Sequence, residues 1–170
     1  LTLFEIDNKY NITSSEVLFN LAESKISSEK LTKIKDTSDN YIQVSSFKYS
    51  NITEILDGTD VELIDNKKNK YHVELGKFDL KNQKLLGKDV KIILRNDSFG
   101  NPDNEPKLKG NSIDYKNKKT LIKKGIFTSC RENNNCPPWS IKSKEIIHYK
   151  DKQEIHYKNA WLRLYNTPVL

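Results

Sequence analysis

Val61-Glu62-Leu63 leads into the polar run Asp65-Asn66-Lys67-Lys68-Asn69-Lys70 and out again through Tyr71-His72-Val73-Glu74. Apolar and polar residues alternate on both sides of that run. Successive side chains of a strand point to opposite faces, so the stretch reads as a half-buried β-hairpin closed by a polar turn. The same opening recurs at Tyr10-Asn11-Ile12-Thr13, Tyr41-Ile42-Gln43-Val44, Lys107-Leu108-Lys109-Gly110 and Trp139-Ser140-Ile141-Lys142. The markers Tyr10, Tyr41, Tyr71, Leu108 and Trp139 step along at about thirty residues, the signature of an internal repeat. The one longer step holds Asn96-Asp97-Ser98-Phe99-Gly100-Asn101-Pro102-Asp103-Asn104-Glu105-Pro106, read as an insertion.

Each unit closes on a second alternating stretch, such as Val90-Lys91-Ile92, Ile126-Phe127-Thr128 or Ala160-Trp161-Leu162-Arg163-Leu164. One unit cannot bury its apolar face alone, so the units must stack. The expected fold is all-β, with about ten or more antiparallel strands in stacked hairpin repeats, forming a single domain over residues 1–170. Its predicted interior row takes residues from both halves of the units: Phe47, Val61, Phe78, Val90, Ile113, Ile126, Ile141, Ile147, Leu162 and Leu164. Ser14 to Lys35 also fits a helix capped at Ser14 or Ser15, but Val17, Phe19 and Leu21 alternate, and strand is the preferred reading.

The charge balance is +6, from 29 basic and 23 acidic residues, and lysine is scattered through turns rather than gathered in one block. That describes a solvated basic surface, with an attraction for phosphate-bearing ligands as the functional alternative. No stacking motif or recognition helix accompanies the charge, so nucleic acid is not expected as a partner. No apolar run reaches the roughly 18 residues of a membrane span, and Leu1 to Asp7 carry no export signal, which is expected to have been removed.

Little in the chain points to catalysis. His72, His148 and His156 stand in no metal-binding motif, and no Gly-rich phosphate loop or nucleophile elbow occurs. The acidic loop from Asp97 to Glu105 lacks the ligand order of a calcium loop. No cofactor, metal or enzymatic activity is expected. Cys130 and Cys136 flank Arg131-Glu132-Asn133-Asn134-Asn135, a poor zinc site; a disulfide in an oxidising compartment is the preferred reading, with buried or free thiols as the alternative.

Four stretches carry a more specific signal: Gly125-Ile126-Phe127-Thr128-Ser129-Cys130, Pro137-Pro138-Trp139-Ser140-Ile141-Lys142-Ser143-Lys144, Ile147-His148-Tyr149, and Asn159-Ala160-Trp161-Leu162-Arg163-Leu164-Tyr165-Asn166-Thr167-Pro168-Val169. Together they resemble the LptD/OstA family just before its membrane barrel. Residues 1–124 resemble only the looser repeat that family shares with LptA and LptC. The resemblance implies a periplasmic β-jellyroll, or β-taco, preceding an outer-membrane β-barrel. It implies non-catalytic transport of lipopolysaccharide from a periplasmic bridge to the barrel at the cell outer membrane, with the interior row as the lipid-binding surface.

The partners so implied are lipopolysaccharide, LptA through an N-terminal edge strand around Leu3 to Ile12, LptE, and the chain's own barrel. Cys130 matches a family position that bonds to barrel cysteines; Cys136 departs from the simplest pattern, and a Cys130–Cys136 bond stays open beside it. A soluble LptA-like bridge and a polysaccharide-acting enzyme on a β-solenoid are the competing readings. A barrel following Leu170 would favour the LptD/OstA reading over the bridge, and carboxylates converging in a cleft would favour the enzyme.

Overall fold

From Tyr41 onward the chain alternates long strands with short turns rich in Asn, Asp and Lys, residues that tolerate or stabilise turn geometry. The computed structural model describes residues 2–6, 9–96, 103–130, 138–165 and 167–169, without the side chains of residues 2–4 and 6. The strands are β1 (Thr2–Ile6), β2 (Tyr10–Ser14), β3 (Leu18–Asn20), β4 (Lys25–Ser28), β5 (Thr32–Asp36), β6 (Tyr41–Ser50), β7 (Ile55–Ile64), β8 (Lys70–Asp79), β9 (Lys84–Ile93), β10 (Lys107–Lys116), β11 (Lys119–Thr128), β12 (Trp139–Tyr149), β13 (Glu154–Leu164) and β14 (Thr167–Pro168). All pair antiparallel in one sheet, ordered β1-β2-β5-β6 and then consecutively to β14, with β3 and β4 beside the second half of β6. Among the described residues there is no α-helix.

The all-β expectation therefore holds. Tyr10, Tyr41, Tyr71, Leu108 and Trp139 stand at the first or second residue of β2, β6, β8, β10 and β12. The stretch from Ser14 to Lys35 forms β3, β4 and β5, as the alternation predicts.

One sheet has two faces and no second layer, yet Val44, Val61, Val73, Leu108, Ile122 and Ile146 are all at most 2% exposed. The sheet must cover itself, and the pairing shows where it folds. Between β6 and β7 the ladder runs from Val44↔Val61 to Ser46↔Thr59, leaving Ser45 and Asp60 unpaired. The same gap recurs across the sheet and isolates Glu74, Asp89, Asn111, Lys124, Lys144 and Asn159 in one row. On every second strand that residue has positive φ: Asp60 at 50°, Asp89 at 49°, Lys124 at 49° and Asn159 at 51°. A left-handed residue within a strand turns the backbone. Repeated in register it creases the sheet along a line perpendicular to the strands, giving two facing walls.

The crease also shifts the inward phase. In β7 the inward residues are Leu56 and Gly58, then Val61 and Leu63; in β8 they are Tyr71 and Val73, then Gly76 and Phe78. Two rows flank the crease inside the fold. On the first wall, register aligns Val44, Val61, Val73 and Val90, then Gly110, Gly125, Ser143 and Ala160. On the second wall the aligned row is Phe47, Gly58, Gly76 and Gly87, then Ile113, Ile122, Ile146 and Tyr157. From β7 to β13 each strand thus presents one large and one small residue across the fold line, and the large residue changes wall between β9 and β10.

Space dictates the small ones. A Cβ on Gly87 would lie 2.5 Å from Val73 Cγ1 and 2.8 Å from Ile113 Cγ2, and one on Gly125 would lie 2.5 Å from Ile146 Cδ1. On Gly76 it would meet only the ring edge of Phe78, at 2.8 Å. Gly87→Ala and Gly125→Ala are therefore expected to lower unfolding free energy by ~1–3 kcal/mol through overpacking. Gly76→Ala, which Phe78 can accommodate by turning, should stay within about 1 kcal/mol of the parent. Urea midpoints of the three variants check this ordering.

Candidate functional site

Two cavities lined by described residues lie between the walls. The smaller, about 50 Å³, sits at the β2–β5–β6 end and is lined by apolar and aromatic side chains, among them Tyr10, Ile12, Ile34, Phe47 and Leu80. The larger is about 220 Å³ and combines an apolar floor of Val61, Val73, Phe78, Leu85 and Ile113 with a polar mouth of Asp65, Tyr71, His148 and Lys150. It lies where the large residues change wall, because Val73 and Ile113 belong to opposite rows. An apolar pocket with a few convergent polar groups is the usual form of a ligand site.

The mouth is built from turn chemistry. Asp65 follows β7, and its Oδ1 accepts from Lys67 N and Asn69 N, each at 2.9 Å. Its Oδ2 accepts from Asn69 Nδ2 at 2.9 Å and from the Tyr71 hydroxyl at 3.2 Å. Asp36 and Asn40 repeat this arrangement in the turn between β5 and β6. The asparagines link successive turns: Asn40 Oδ1 accepts from Asn66 N at 3.0 Å, and Asn69 Oδ1 from Arg95 N at 2.9 Å. From the opposite rim Lys150, just past β12, places Nζ 3.3 Å from Asp65 Oδ2. This ion pair joins the two walls across the mouth.

Burial raises the Asp65 carboxyl, but bonds from the Asn69 side chain and backbone, with Lys150 beside it, outweigh that and hold it below its ordinary 3.8. Burial first, and then the Asp65 charge, pushes the Tyr71 hydroxyl well above the usual phenol range, so it remains a donor. Burial, and then Lys150, lowers His148, which is neutral at pH 7.

The predicted interior row is divided by the crease. Phe47, Val61, Val90 and Ile113 are buried in the core, and Phe78 packs against it. Ile141 and Leu162 are half-buried on inward rows, paired with each other, and Leu164 is 44% exposed near the rim. Ile126 and Ile147 do not belong to the interior. Ile126 is 36% exposed between inward Gly125 and Phe127, because the left-handed turn at Lys124 reverses the phase. Ile147 pairs with Leu121 on the outer face, and its neighbour Ile146 is the buried one.

Cys130 is half-buried, its Sγ 3.9 Å from Trp139 O, whereas Cys136, and any bond between the two, lies outside the described residues. The interior-row reading passed over Asp65, Asn69, Tyr71 and Lys150. The signal that finds the first two is the Asp-x-x-x-Asn spacing repeated at Asp36/Asn40 and Asp65/Asn69. No known protein family matches the chain, and no curated protein matches it either.

Asp65→Asn is expected to cost ~1–3 kcal/mol at neutral pH, the range for hydrogen bonds to a charged group. The folded carboxyl titrates below its ordinary value, so its contribution is complete above about pH 4 and drains away as pH falls through the folded value. Parent and variant stabilities should therefore converge in acid. Lys150→Ala, which removes only the half-exposed partner, should cost less than about 1 kcal/mol. Denaturant titrations at pH 7 and in the acid range separate the two.

Proposed function

We propose that this domain carries lipopolysaccharide without altering it, as the resemblance to the LptD/OstA periplasmic domain implies. The acyl chains lie between the walls and pass towards an outer-membrane barrel working with LptE. The observation that carries this reading is the larger cavity, an apolar floor set between facing rows and closed at its mouth by one ion pair. Such a wall needs no reactive group; it needs hydrocarbon on the inside and a mainly polar exterior, which the creased sheet supplies.

The cavity's 220 Å³ is about seven waters' share of liquid volume, room for one acyl segment rather than a whole lipid A. A multi-chain lipid therefore parts the walls, and the Asp65–Lys150 pair lies across that movement. At the N-terminal end of the sheet β1 pairs, among the described residues, only with β2. Its free backbone groups are the edge on which a strand of LptA would add, extending the apolar path from one protein to the next.

Photo-crosslinking groups at Phe78, Ile113 and Leu162 are expected to capture lipopolysaccharide in transporting cells, while groups at the outward positions Lys48 and Lys77 are not. Equal capture from both faces, or none from the inward set, would reduce the interior to a structural core. Ile113→Asp should abolish capture at Phe78, since it sets a charge against hydrocarbon.

A further inference from the structure

The outer face of the crease is polarised along the sheet. Over β7 and β8 it carries Asp60, Glu62 and Glu74, all exposed. Over β10 to β13 the same rows carry lysine. Register places Lys109, Ile126, Lys142 and Trp161 side by side on the first wall, and Lys124 beside Lys144 in the adjoining crease row. All six are exposed, Trp161 at 60% and Ile126 at 36%. Among the described residues no carboxylate forms an ion pair with any of these four lysines, although other lysines of the chain, such as Lys158 with Glu145, do find one.

Neighbouring strands lie about 4.8 Å apart, so these four ammonium groups, unpaired among the described residues, share a small patch with Ile126 between them and the Trp161 indole beside Lys142. Like charges held this close repel one another and are stabilised only by counter-charge from outside.

We propose that this patch is a docking surface for an anionic lipid bilayer, with the lysines over headgroup phosphates and Trp161 and Ile126 at the headgroup level. Charge complementarity selects an anionic partner, and the interleaved apolar side chains select a membrane among such partners. Indole rings settle at membrane–water interfaces, and juxtamembrane lysines are drawn to anionic leaflets. Single-stranded nucleic acid is the less fitting occupant, because base stacking uses several aromatic faces and this patch offers only Trp161. Docked this way, the domain rests on its crease with the cavity mouth turned away from the bilayer. The surface is separate from the interior, so it stands whether or not lipopolysaccharide is carried there.

The test is co-sedimentation of the whole chain with phosphatidylcholine vesicles, with and without about 30% phosphatidylglycerol, at low ionic strength. Binding is expected only to the anionic vesicles, and to weaken with added salt. The combined variant Lys109→Gln, Lys124→Gln, Lys142→Gln, Lys144→Gln should lose roughly 600-fold in affinity, at roughly fivefold per lysine. Trp161→Ala should lose several-fold with charge unchanged. All five positions are exposed, so an unchanged urea midpoint accompanies either loss. Equal sedimentation of the parent and the glutamine variant would overturn the proposal, as would displacement of the parent from vesicles by an equal charge of single-stranded DNA.

Discussion

Everything in this fold depends on two walls of one sheet approaching closely enough to exclude water along the crease. A left-handed residue on alternate strands turns the backbone, but turning alone would bring side chain against side chain. The walls close because each strand from β7 to β13 offers a small residue opposite a large one, and the glycines leave room that a single added carbon would overfill. Five of the six glycines in the chain stand in these rows. Fully burying a Val, Leu or Ile gains roughly 1.5–3 kcal/mol, so the line of Val44, Val61, Val73, Ile113, Ile122 and Ile146 holds the walls together without a covering layer.

The exchange of large residues between walls accounts for the position of the larger cavity. Up to β9 the first wall carries the valines and the second the glycines; from β10 onward the second carries the isoleucines. Where the ridge crosses, neither row fills the gap beside Val73 and Ile113, and space remains towards Tyr71 and His148. At the N-terminal end of the crease the ladder breaks outright, and hydroxyls occupy the row instead. Ser28 Oγ donates to Glu16 O at 2.6 Å and Thr32 Oγ1 to Lys30 O at 2.9 Å. Carbonyls that lose their strand partner there are satisfied by side chains, as buried backbone groups must be.

Strand existence was legible in the sequence because period-two alternation acts over a few residues, and turn chemistry is local. The phase was not. A strict period of two carries Ile126 and Ile147 inward, and each fails because the inward phase shifts at the crease, at left-handed Lys124 in the strand of Ile126 and at Lys144, skipped in the register, in the strand of Ile147. The sign of that residue's φ depends on the opposite wall, which no local pattern reports. A trace of it does survive in Gly58-x-x-Val61, Val73-x-x-Gly76, Gly87-x-x-Val90, Gly110-x-x-Ile113 and Ile122-x-x-Gly125, small and branched residues three apart within otherwise alternating strands. The pairing of Asp65 with Lys150 lay further out of reach, since 85 residues separate them and only the crease brings their rims together.

That pair also has an asymmetry that bears on how the mouth opens. Four of the five hydrogen bonds to the Asp65 carboxylate come from its own wall, from Lys67, Asn69 and Tyr71, and only Lys150 reaches across. If the walls part, the carboxylate keeps its fixed donors and no buried charge is orphaned, which is the circumstance that makes breaking most buried ion pairs expensive. Lys150, already about a third exposed, moves into water. With its lysine about a third exposed to screening water, the pair is worth about 1 kcal/mol, so the clasp sets the resting width of the mouth while adding little to the work of opening it. An apolar contact in the same place would expose hydrocarbon each time the walls moved and would oppose opening more strongly. A polar clasp over an apolar floor therefore suits a cavity that fills and empties, and the turn that presents Asp65 is the part of the fold on which its reversibility rests.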